Sequence, residues 1–120
     1  MHNYKELIIW QKARILVKDI YELTKTFPAN EKYGIVSQIQ RAVISIPTNI
    51  AEGSGRGSNK DFSRFLDIAI ASAFELETEI ILSFDLLFIN EQNLNIILPK
   101  IQEVQKMIYS FKHQLKINDK

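Results

Sequence analysis

The 120-residue chain has no cysteine, which excludes disulfides, thiolate metal sites and a cysteine nucleophile. Four glycines and three prolines leave few places where a helix must break. Only two histidines are present, His2 and His113, and neither completes a Glu-x-x-His metal motif. A long apolar run is missing too. The most apolar stretch, 68–89, carries Glu75, Glu77, Glu79 and Asp85, four carboxylates that a membrane span would not hold. The polar start and the short apolar run 7–10 do not make a signal peptide. The expectation is a soluble cytoplasmic protein with no membrane partner. One domain is expected over 1–120, large enough to bury a core without staples.

Net charge is +1, but it is unevenly spread. Residues 1–41 hold seven Lys/Arg against four Asp/Glu, residues 59–89 two against six, and residues 90–120 five against three. An acidic third segment between basic first and last segments can steer a partner or set how subunits meet.

The glycines and prolines mark three joints: Phe27-Pro28-Ala29-Asn30, the run Gly53-Ser54-Gly55-Arg56-Gly57-Ser58-Asn59, and Ile89-Asn90-Glu91-Gln92. Between them apolar residues recur every three or four positions, the signature of amphipathic helices. Helices are expected over 5–26, 31–53 (with Asn30 as N-cap), 59–88 and 91–117. Ser58 followed by Asp61 resembles a capping box. No segment alternates with a period of two, so no strand is expected. Short joints favour neighbours running in opposite directions. The fold class is therefore all-α, an antiparallel up-down-up-down four-helix bundle. Pro47 and Pro99 lie inside the second and fourth helices and should bend or split the one and bend or delay the other.

The third helix is apolar beyond a single stripe. Phe62, Leu66, Ala69, Ala73, Ile80, Phe84 and Leu87 form one face, and Phe65, Ile68, Ile70, Phe74, Leu76, Ile81, Leu82, Leu86 and Phe88 spill well beyond it. A helix apolar over most of its circumference is buried on two sides. In a bundle this small the second side is most simply another subunit.

Several constellations bear on function. Gln38, Arg41, Ser45, Asn49, Glu52 and Arg56 fall within an arc of ~80° on the second helix. That mixed polar stripe reads as a solvent face or internal hydrogen-bond network, a subunit interface, or a ligand or RNA surface. The glycines of the 53–59 joint are accounted for by left-handed turn geometry. Arg56 and Lys60 beside a helix start could hold a phosphate, but neither the Lys-Ser/Thr ending nor the strand of a P-loop is present. Glu77 projects among Ala73, Ile80 and Phe84 and needs a partner, Arg41 being one candidate, or a wet interface. Glu75 lies on another face, suited to a subunit contact. The aromatics, Phe74 included, follow core spacing. The serines have no histidine and no nucleophile elbow. No catalytic, cofactor, metal or small-molecule site is expected. Lys12, Arg14, Lys18, Arg56 and Lys60 are the candidate nucleic-acid contacts.

The run Gln38-Ile39-Gln40-Arg41-Ala42, Ser45-Ile46-Pro47 and Asn49-Ile50-Ala51-Glu52-Gly53-Ser54-Gly55-Arg56 is the most specific part of a resemblance that spans nearly the whole chain. Leu7-Ile8-Ile9-Trp10-Gln11-Lys12-Ala13, Tyr33-Gly34-Ile35 and Phe62-Ser63-Arg64-Phe65-Leu66 extend it. The sequence resembles the four-helix bundle proteins named after reading frames in intervening sequences of the 23S ribosomal RNA gene. The accessory variability determinants of diversity-generating retroelements are similar. The resemblance implies a ring-like homopentamer and, from the retroelement relatives, a basic surface that binds nucleic acid and reverse transcriptase. This chain departs from the strongly basic relatives in its net charge of +1. The resulting expectation is a non-enzymatic oligomeric module that contacts RNA or an RNA-associated protein. A protein-interaction scaffold without nucleic-acid affinity is the alternative, and a metal-dependent enzyme comes last.

Overall fold

The computed structural model describes residues 2–118. Four helices follow one another: α1 (Ile8–Thr24), α2 (Ile35–Ser54), α3 (Asn59–Asp85) and α4 (Glu91–Asn118). They form a rod of 49 × 24 × 20 Å. Contacts between three pairs of facing helices run in opposite registers. On α2 and α3, Gly53 lies against Phe62 and Phe65, whereas Ser45 meets Ser72. On α3 and α4, Asp67 pairs with Lys112 and Glu77 bonds Gln102. On α1 and α4, Lys12 pairs with Glu103 and Asp19 with Lys100, both at 3.2 Å. Successive helices are therefore antiparallel, and α1 and α3 stand diagonally across the bundle.

The core follows the apolar stripes. Ala13, Leu16 and Ile20 of α1 meet Ile39, Val43, Ile46 and Ile50 of α2, Leu66, Leu76 and Ile80 of α3, and Ile101 and Ile108 of α4. Each is almost fully buried, contributing on the order of 1.5–3 kcal/mol per large side chain.

Helix ends depart from expectation in ways with local causes. A 3-10 turn, Tyr4–Glu6, precedes α1, and Asn3 Oδ1 accepts from Lys5 N–H at its start. Asn30 does not cap α2. It lies in a second 3-10 turn, Ala29–Glu31, which follows the extended Pro28, and α2 begins only after Gly34. Ser58 does cap α3, its hydroxyl accepting from Asp61 N–H at 3.1 Å. α3 stops at Asp85, three residues short of the expected end, because Leu87 turns into the left-handed region at φ 66°. Leu87 N–H then bonds Phe84 O and Phe88 N–H bonds Ser83 O, which closes the helix as a Schellman motif.

Neither internal proline splits its helix, and α4 starts at Glu91, well before Pro99. Pro47 leaves the Val43 carbonyl without its helical donor. In the same turn Thr48 Oγ1 donates to Ile44 O and Asn49 Nδ2 to Ser45 O, each at 2.8 Å. The glycines are not explained by left-handed geometry, because none has a positive φ. Gly53 is required for close packing instead. A Cβ there would stand 2.7 Å from Phe65 Cβ and 2.8 Å from Phe62 Cδ1.

Candidate functional site

A groove of ≈ 870 Å³ lies between α2 and α3. Helical spacing brings its lining together: Gln38, Arg41 and Ser45 recur along α2, while Ser72, Glu75 and Glu79 recur along α3. Four residues of the expected polar stripe and interface set, Gln38, Arg41, Ser45 and Glu75, thus meet here. Asn49 joins through its side chain, which donates to Ser45 Oγ at 2.9 Å, and Ser45 Oγ shares a hydrogen bond with Ser72 Oγ at 2.8 Å. The hydroxyls and amide of this network are therefore occupied with one another.

The stripe does not continue as one surface. Glu52 lines a separate cleft between α1 and α2, together with Trp10, Arg14 and Thr48. Arg56 lies past the end of α2, its guanidinium 4.5 Å from the Phe65 ring centre.

The groove contains a residue whose role was not apparent from sequence. Glu79 is only 8% exposed, and its Oε1 is buried without a hydrogen-bond partner. Burial, and secondarily the charge of Glu75, push its carboxyl up from 4.5 to about 7. Arg41 lines the same groove but forms no ion pair with Glu75 or Glu79 among the described residues. The expected partnership of Glu77 with Arg41 is not formed. Glu77 turns towards α4, where Gln102 Nε2 and Gln105 Nε2 each donate to its carboxylate at 2.9 Å. The helical wheel had placed Glu77 on an apolar face, but that face lies against amide donors of the next helix.

Beside the groove α3 presents an apolar outer face. Phe74 is 54% exposed, contrary to its expected place among the core aromatics, and Ile68, Ile81, Leu82 and Leu86 are exposed with it. The core side of α3 is taken up by Leu66, Ala69, Ala73, Leu76 and Ile80, so the surplus apolar residues point outward.

The candidate cations fall into two places. Lys12, Arg14 and Lys18 lie exposed along α1, Lys12 paired with Glu103 and Arg14 beside the Trp10 ring. Arg56 and Lys60 lie at the end of the rod where α2 passes into α3. The antiparallel return of α4 adds Lys112 and Lys116 there, beside Lys60 and Arg64, and Asp61 and Asp67 lie among them. The α4 cations could have been foreseen once α4 was paired with the start of α3. No metal-holding group of three His, Asp or Glu side chains occurs among the described residues. No helix among them is long and apolar enough to cross a membrane.

Comparison with known proteins agrees with this architecture. A crystal structure of a protein of unknown function from the S23 ribosomal protein family of Bacteroides thetaiotaomicron is similar, with a TM-score of 0.80 and 28% identity. The match covers 88% of this chain and 98% of that one. A search of curated proteins gives no match. The family model for 23S rRNA-intervening sequence proteins matches residues 5–110. The chain belongs to the 23S rRNA-intervening sequence protein family.

Proposed function

We propose that this protein is a non-enzymatic, homo-oligomeric bundle that binds RNA or an RNA-associated protein. The observation that carries the assembly part is the outward apolar face of α3, from Ile68 to Leu86, which is larger than scattered surface apolar residues require. A ring of five copies is the assembly that the family resemblance implies. The cations at the α2–α3 end of the rod, Lys60, Arg64, Lys112 and Lys116 in one cleft and Arg56 beside Phe65, support the RNA part, since phosphate backbones are held by Lys and Arg. Repetition around a ring would multiply a patch that is weak in one copy. Lys12, Arg14 and Lys18 offer a second, lateral surface.

A titration of the assembled protein against structured ribosomal RNA at two salt concentrations tests this reading. Binding should weaken with salt, with a slope of about −0.7 to −0.9 per phosphate neutralised. Arg56→Glu with Lys60→Glu should reduce it at least tenfold. Absence of binding at low salt, with assembly intact, refutes the RNA part. A second reading, a scaffold without nucleic-acid affinity, is favoured by one observation. Several cations already have carboxylate partners: Lys12 with Glu103, Arg64 with Asp61 and Lys112 with Asp67.

A further inference from the structure

The groove between α2 and α3 is a site with a missing part. Its floor is the Glu79 carboxyl, buried and lacking a donor. Its rim holds Glu75, exposed and without an ion-pair partner among the described residues. The neighbouring hydroxyls are engaged with each other. The group that fits is a cation on a slender apolar stem, able to pass the Phe74 and Thr78 rim and bond two carboxylates. A lysine ammonium has three donors and a four-carbon stem that tolerates apolar surroundings.

The same chain presents such a group on its opposite side. On the outer face of α1, Ile8 is 63% and Ile15 57% exposed. Lys18 lies one helical turn from Ile15 and has no ion-pair partner among the described residues. The outer face of α1 is apolar and basic, and that of α3 is apolar and acidic. Because α1 and α3 are diagonal in the bundle, the two faces point in opposite directions.

We propose that the groove is completed by a second copy of this chain, whose α1 lays Ile8 and Ile15 on the apolar face of α3 and inserts Lys18 between Glu75 and Glu79. The inference rests on the oligomeric reading above and gives it an interface. Each copy then offers a donor face and an acceptor face. Such a contact is head-to-tail, and it closes into a ring or extends as a filament according to the rotation between copies. The assignment takes Lys18 out of the RNA surface and leaves the Arg56 and Lys60 end of the rod for that role.

The groups facing Glu79 are Glu75 on its own helix, Arg41 from α2 and the incoming Lys18. The ammonium favours the ionised carboxylate, so association should release a proton and tighten as pH rises from 5 to 7.

Charge exchange with molar mass read by light scattering tests the proposal. All substituted positions are exposed, and circular dichroism checks that the helices remain. Wild type should be oligomeric. Lys18→Glu and Glu75→Lys should each weaken association at least tenfold, and the double variant should regain most of it. Oligomers that ignore both single changes, or a double variant no better than either single, overturn this interface and leave the oligomeric reading intact. A monomeric wild type at high concentration overturns both.

Discussion

Glu77 and Glu79 stand two residues apart on α3, yet one has partners and the other has none. Glu77 faces α4 and receives two amide donors, from Gln102 and Gln105. Glu79 faces α2 and receives none on its buried oxygen. About 200° of helical rotation separates them, so they sample different neighbours. The α3–α4 seam is complete within one chain, because the fold supplies what the carboxylate needs. The α2–α3 seam is tight at Gly53 and open at Glu79, because Ser45, Asn49 and Ser72 bond one another. An unpaired buried carboxyl costs stability, and the fold has not removed that cost within the protomer.

The largest effect expected from breaking this contrast is at Glu79. In the dissociated protomer its carboxyl keeps its proton up to about pH 7, whereas the unfolded chain releases it near 4.5. Between those values the folded state binds more protons, so stability falls as pH rises and levels off above about 7. The loss should be roughly 2–3 kcal/mol. Glu79→Gln should abolish that slope and make the protomer more stable at pH 8 than the parent. Denaturant unfolding at pH 5 and pH 8, at concentrations where the chain is monomeric, measures both. An equal slope in the two proteins would mean that another group titrates.

Gly53→Ala tests the closed end of the same seam. A Cβ at 2.7 Å from Phe65 Cβ forces α2 and α3 apart, and overpacking of this kind costs about 1–3 kcal/mol. Thermal unfolding should show the loss. An unchanged Tm would show that the seam yields easily and that its opening at Glu79 is not held by the rest of the bundle.

Removing a donor from the satisfied carboxylate should cost less. Gln105→Ala takes away one of two hydrogen bonds to a partly exposed Glu77, worth about 1 kcal/mol. Thermal unfolding at pH 8 should show a loss smaller than that of Gly53→Ala. The smallest effect lies at the end of α3 and has the opposite sign. Leu87 is 89% exposed and held at φ 66°. Leu87→Gly should relieve left-handed strain and stabilise by roughly 0.5–1 kcal/mol. A destabilised variant would mean that Leu87 makes contacts that outweigh its backbone strain.

The helices and their order were legible because the apolar residues recur at helical spacing and the joints are short. The Ser58 cap was legible because it involves only residues three positions apart along the chain. The start of α2 was not, because Pro28 and the turn after it delay the helix although Asn30 has capping chemistry. Phe74 was grouped with the core aromatics although it lies off the α3 stripe, and it faces outward because Ala73 and Leu76 already fill the α3 core face. Among the acids, spacing drew attention to Glu77 instead of Glu79. A helical wheel shows which face a carboxylate occupies, but whether the facing helix carries a free donor is settled only by packing. The groove drew together Gln38, Arg41, Ser45 and Glu75 as a polar constellation, whereas Glu52 and Arg56 share their arc but lie farther along the rod.

The central claim is that the contrast between the two glutamates disappears when a second copy supplies Lys18. Following the Glu79 carboxyl by NMR through a pH titration tests it most directly, in assembled wild-type protein and in Lys18→Glu protein. The account predicts a midpoint near 7 in the dissociated Lys18→Glu protein and a midpoint lowered towards the ordinary carboxylate range in the assembly. The same midpoint near 7 in both would contradict it, because no cation would then reach the groove.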